Sequence, residues 1–134
     1  MNTARPYARR ARGILAWVAA AFGVLTVVVG GRTLAGADPG YIVFRPLLIY
    51  NTVMGVAYLV AGITMWRSLE AGRRAAAAVF LLNLLVLAVI GYLYATGSAV
   101  AIDSVRAMTF RTGVWLILFL GLAWLGRGGR AAGT

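Results

Sequence analysis

The chain of 134 residues contains no cysteine, no histidine and no lysine, and only three residues each of proline and of the acidic types. Each absence removes a class of chemistry. Without cysteine there is no disulfide framework, no thiolate nucleophile and no zinc–thiolate site. Without histidine there is no imidazole base and no haem axial imidazole. Without lysine there is no Schiff base to retinal or pyridoxal. Charge is scarce overall, at 12% of residues, about half the share of a water-soluble domain. What charge there is lies on one side, with 13 basic residues, all arginine, and a net charge of +10. Apolar residues make up 62%, and they fall in long blocks rather than short alternating ones.

Four blocks come close to the roughly 20 helical residues that cross an apolar layer of about 30 Å. They are 13–30 (GILAWVAAAFGVLTVVVG), 46–66 (PLLIYNTVMGVAYLVAGITMW), 75–95 (AAAAVFLLNLLVLAVIGYLYA) and 104–125. The last needs Ser104–Thr112 because the apolar run Gly113–Leu125 is too short alone. None shows the period-2 alternation of a barrel strand. The expected fold is therefore a single all-α integral membrane domain, a four-transmembrane-helix up-down-up-down bundle. Gly30-Gly31 is read as the end of the first helix, Asp38-Pro39-Gly40 as a turn, Arg67–Arg74 as a link, and Gly97-Ser98 as the end of the third helix. Gly126-Arg127-Gly128-Gly129-Arg130 is read as a frayed basic tail.

Arginine placement orients the bundle. With the N-terminus inside, the inner side holds Arg5, Arg9, Arg10, Arg12, Arg67, Arg73, Arg74, Arg127 and Arg130, and the outer side holds Arg32, Arg45, Arg106 and Arg111. The excess places both termini in the cytoplasm of a bacterial-type cell, its inner membrane holding the helices. The aromatic residues agree, with Trp17, Trp66 and Trp124 at inner ends and Tyr41, Tyr50, Tyr92, Tyr94 and Trp115 towards the outer side. A basic start, an apolar stretch and Ala35-Gly36-Ala37 also fit a cleavable signal peptide, which would leave three helices. The stretch exceeds a usual signal core, so a retained helix is expected. The net charge is explained by topology and anionic lipid rather than by nucleic acid.

Small residues mark the faces on which membrane helices meet. Ala16/Ala20 and Ala19/Gly23 do so on the first helix, and Gly55/Gly62 with Asn51 and Tyr58 on the second. The stripe Asn83, Leu87, Gly91, Tyr94 is the counterpart on the third, and Gly113, Ile117, Gly121, Trp124 on the fourth. Asn51 and Asn83 are the polar residues deepest in their spans. An unpaired amide in hydrocarbon is costly, so both are expected to face protein, bonded across helices to Tyr58 or Thr26.

Candidates for chemistry are few. The carboxylates Asp38, Glu70 and Asp103 all fall outside mid-span positions, which disfavours a carboxylate-driven pump. Glu70 is expected to pair with Arg74, and Asp103 to cap the fourth helix or pair with Arg106. Serines have no base to activate them, and Met1, Met54, Met65 and Met108 are too scattered for a thioether metal site. Arg111 stands out, since the fourth helix must extend back through it. It either snorkels outwards or turns in to a partner, and snorkelling is the commoner arrangement at helix ends. Arg45, Arg106 and Arg111 with Asp103 and Tyr50 thus form the candidate contact for an anion, a lipid headgroup or a quinone carbonyl. No catalytic residue, metal site or cofactor is expected.

The features Gly30-Gly31-Arg32, then Gly55–Ile63 (GVAYLVAGI), then a short basic link into an Ala-rich third helix resemble the DoxX-like group of small four-helix membrane proteins. The resemblance spans the first part of the chain and is one of layout, without a catalytic signature. It implies an association with quinone-linked oxidoreductases and transfers no functional residue. The expected function is a non-catalytic accessory or structural subunit packed against membrane lipids and other membrane subunits, or against copies of itself. The alternative is a small anion or solute transporter or channel, homo-oligomeric, with the outer arginines selecting anions. A quinone- or lipid-linked enzyme ranks last, for want of a base, a nucleophile and a metal site.

Overall fold

A computed structural model describes residues 4–40, 42–98 and 100–132. Met1, Tyr41 and the side chains of Arg5 and Arg130 lie outside the described residues. The described residues form four helices and no strands: α1 (Ala4–Leu34), α2 (Arg45–Arg67), α3 (Leu69–Ala95) and α4 (Ile102–Ala132). All four are long and apolar enough to cross a membrane, and only 22–33% of each apolar stretch is buried within the protein. Residues such as Leu25, Val53, Leu85 and Ile117 point outwards. In lipid that exposure costs nothing, and the helical form satisfies every backbone amide locally.

The helices run further than the apolar blocks. α1 continues through Gly30-Gly31 and stops at Gly36, whose φ of +112° is readily adopted only without a side chain. There the Ala35 amide donates to the Gly31 carbonyl and the Ala37 amide to the Arg32 carbonyl, both at 3.0 Å. The expected link over Arg67–Arg74 reduces to Ser68. Its extended backbone ends α2, and its Oγ accepts from the Ala71 amide at 3.3 Å to start α3. Glu70 then holds Arg73 at 2.9 Å and Arg74 at 3.5 Å. The stretch Gly126–Arg130, expected to fray, is helical as part of α4. The Asp38-Pro39-Gly40 turn is present, with the Gly40 amide donating to Asp38 Oδ1 at 2.8 Å.

Packing is uneven around the bundle. α1 and α2 meet backbone to backbone: a Cβ on Gly23 would lie 2.6 Å from the Leu59 amide nitrogen and 2.7 Å from the Gly55 carbonyl oxygen. Lower on the same seam, a Cβ on Gly62 would lie 2.8 Å from the Ala20 nitrogen and 2.9 Å from the Ala16 oxygen. Helix α3 follows beside α2 and α4 beside α3, while α1 and α4 touch most sparingly. One core cluster joins Tyr58, Met65, Val79, Trp115 and Leu122, and a second joins Leu47, Ile90, Val100 and Met108.

Two faces differ from expectation. On α4, Ile117 and Trp124 are exposed and Gly113 has open space around it, so this stripe does not form the contact face. The buried face carries Met108, Thr112, Trp115, Leu118 and Leu122 instead. Large side chains reach across a wider gap, so α4 needs no small residues where it packs. On α3, Asn83 is buried but Tyr94 is exposed and Gly91 meets nothing. The inward face there runs through Gly72, Ala76, Val79, Asn83 and Ile90. Trp115, expected in the outer belt, is wholly buried against Tyr58, ring centroids 4.9 Å apart.

Candidate functional site

The interior polar residues come from three helices and gather on one amide. Tyr50 and Tyr58, both on α2 and eight residues apart, share a face, and Asn83 on α3 faces them. Both phenols donate to Asn83 Oδ1, at 3.0 Å from Tyr50 and 3.1 Å from Tyr58. The expected bond from Asn83 to Tyr58 is therefore present, with Tyr50 as a second partner. Asn83 is fully buried, and its Nδ2 has no acceptor among the described residues.

Arg111 approaches this group from α4. Its side chain turns into the bundle rather than towards the surface. The guanidinium carbon lies 5.9 Å from the centre of the Phe22 ring on α1, a cation–π contact worth about 0.5–2 kcal/mol. It stands beside Tyr58 and within electrostatic reach of Tyr50. Its Nη1 is buried without an acceptor. Among the described residues the ion pairs are Glu70 with Arg73 and Glu70 with Arg74, so Arg111 has no carboxylate partner. Arg111 lies nine residues into α4, about 13 Å along its axis.

Beside Arg111 is a partly open cavity of about 80 Å³. Thr26 of α1, Asn51 of α2, and Ser104 and Arg111 of α4 bring polar groups to it, and Pro39 and Phe44 come from the connection before α2. Thr26 and Ser104 are buried residues, and Asn51 Oδ1 is buried with no donor. Helix α3 does not line it. The cavity thus lies where α1 and α4 pack least, with a lone cation in its wall. The fully buried side chains of Tyr58 and Trp115, and of Leu122 further along α4, fill the core beyond Arg111.

The other candidate residues lie elsewhere. Arg45, Arg106 and Asp103 are exposed, and the Asp103–Arg106 pair does not form. Asp103 sits instead in the first turn of α4, where a negative charge suits the helix dipole. Of the proposed outer cluster, Arg111 and Tyr50 alone turn inwards. Phe22 and Trp115 were not singled out from the sequence for this site. The spacing of Arg111 and Trp115, four apart and hence on one helix face, was the available signal for the latter.

Comparison with known protein-family models, curated proteins and solved structures gives no match to this chain.

Proposed function

We propose that this protein is a non-catalytic membrane protein whose working part receives an anionic group at Arg111. The reading rests on one observation: a guanidinium turned into an apolar bundle, with a buried, unpartnered Nη1 and no carboxylate beside it. A cation withdrawn from water and left unpaired costs several kcal/mol, and an incoming anion removes much of that cost. The site offers a cation, hydroxyls and an amide, a set suited to binding rather than bond breaking. In this reading the bundle runs up-down-up-down in a bacterial-type cytoplasmic membrane with both termini inside. The cavity then opens to the outer side, where the exposed Arg32, Arg45 and Arg106 raise the local concentration of anions.

The test is thermal unfolding of the full chain in neutral detergent with rising sodium formate. A ligand that binds only the folded form at 100 times its Kd stabilises it by about 2.7 kcal/mol. The midpoint is expected to rise with formate and to stay flat in Arg111→Gln. A flat response in both proteins contradicts the proposal.

The accessory-subunit reading keeps an observation of its own. Ala16, Trp17, Ala20, Gly62, Ile63 and Trp66 line a wholly apolar groove on the outer face of α1 and α2, of the kind on which another membrane helix packs. Isolation of the chain from its own membrane in mild detergent, with a stoichiometric membrane partner, supports it. Recovery of the chain alone contradicts it.

A further inference from the structure

We infer that the group received at Arg111 is a singly charged carboxylate on an apolar body, an inference that rests on the anion-binding reading above. Four observations narrow the class.

Charge comes first. One guanidinium reaches the cavity, and Arg32, Arg45 and Arg106 are exposed on the surface. One negative charge is balanced there. The second charge of sulfate or hydrogen phosphate would sit in the cavity without a counterion, a penalised state away from water. A neutral quinone carbonyl fails in the opposite sense, because it leaves the buried cation uncompensated.

Size comes second. The cavity holds about 80 Å³, and one buried water needs about 10–15 Å³ on this measure. A head of a few heavy atoms fits, with little room for a substituted ring.

Shape comes third. Phe22 backs the guanidinium on one side, which leaves its hydrogen-bonding edge to the ligand. A planar fork of N–H groups matches the two oxygens of a carboxylate, a pairing that a spherical halide does not make. The buried residues Thr26 and Ser104 bring hydroxyls to the same cavity, and these donate as readily to a carboxylate oxygen.

The walls come last. Val29, Val43, Leu47, Leu48 and Ala107 line the rest of the cavity. A bare inorganic ion gains nothing from them, whereas the carbon chain of an organic acid does. The cavity is partly open and borders the sparse contact between α1 and α4. Such a carboxylate has two sources: a short acid from the aqueous side, or a fatty acid already in the bilayer.

The experiment is calorimetric titration of the full chain, in neutral-lipid nanodiscs with empty discs as control, using acetate, decanoate and sodium sulfate in turn. Wild type is expected to bind a carboxylate at least about tenfold more tightly than sulfate. Arg111→Gln should lose on the order of 100-fold in affinity for it. Arg111→Lys keeps the charge without the fork and should lose roughly tenfold. Binding of acetate identifies the aqueous source, and binding of decanoate without acetate the bilayer source; both support the inference. Sulfate bound as tightly as the carboxylates, and lost in Arg111→Gln, overturns the single-charge inference and leaves the anion-binding reading standing. No binding by any probe, or binding that survives Arg111→Gln, overturns both. Circular dichroism of each variant at the wild-type helical content establishes that the comparison is between folded proteins.

Discussion

Helix α1 meets its two neighbours in opposite ways. Against α2 it lies with backbone touching backbone along Gly23, Gly55 and Gly62, a seam with no room for a methyl group. Against α4 the contact is sparse, made by Phe22 with Phe110 and Arg111, and beside it lies the cavity. The first side uses the only strong attraction available between helices in lipid, which is close approach. The second side gives that attraction up and holds a cation that the bundle does not neutralise. A small bundle with one tight seam can carry one loosely packed, polar interface, and function is expected at the loose one.

The largest expected effect comes from breaking the tight side. Gly23→Ala drives a Cβ into the backbone of Leu59 and Gly55, which cannot swing aside. The cost should be at least about 1–3 kcal/mol, read as a lower unfolding midpoint in detergent. Gly91→Ala is the control. Its Cβ meets nothing, so the change should be neutral or stabilise by up to about 1 kcal/mol. Equal losses in the two variants would remove the distinction between the seam and the rest.

On the loose side the sign should reverse. Arg111→Met removes an unpaired buried charge and keeps the hydrophobic bulk, so the ligand-free protein should become more stable by about 1–3 kcal/mol. Formate should no longer shift its midpoint. A destabilised Arg111→Met would mean that the guanidinium is held by contacts strong enough to need no ligand. Asn83→Leu is smaller in effect: it leaves the Tyr50 and Tyr58 hydroxyls without their acceptor, at about 1–2 kcal/mol. The smallest effect belongs to Glu70→Gln at the exposed start of α3, where losing the pairs with Arg73 and Arg74 should cost below about 1 kcal/mol.

The four apolar blocks were legible in the sequence because hydrocarbon leaves helices few alternatives. Their ends were less so. Gly30-Gly31, Arg67–Arg74 and Gly126–Arg130 carry residues that interrupt helices in water, yet all of Gly30-Gly31 and Gly126–Arg130 is helical, and Ser68 alone divides α2 from α3. The glycines of α1 and α2 marked a real seam, since only small residues permit such closeness. The same rule failed on α4, where Trp115, Leu118 and Leu122 span a wider gap and the small-residue stripe turns outwards. For the site, Asn83 was legible, because a buried amide needs a partner and tyrosine on α2 stood at the right depth. The direction of Arg111 was not. A guanidinium nine residues into a helix can reach the surface or the interior with the same sequence, and what decides is the space left between α1 and α4.

The absence of native cysteine makes the decisive measurement simple, because a single introduced thiol has no background. Ser104→Cys puts a thiol in the cavity wall beside Arg111, and its reaction with an anionic and a cationic methanethiosulfonate reagent of similar size can be timed in detergent. An unpaired guanidinium in the cavity predicts faster modification by the anionic reagent, with the preference lost when Arg111→Gln is added. Faster modification by the cationic reagent, or a preference unchanged by Arg111→Gln, would contradict an anion-receiving cavity.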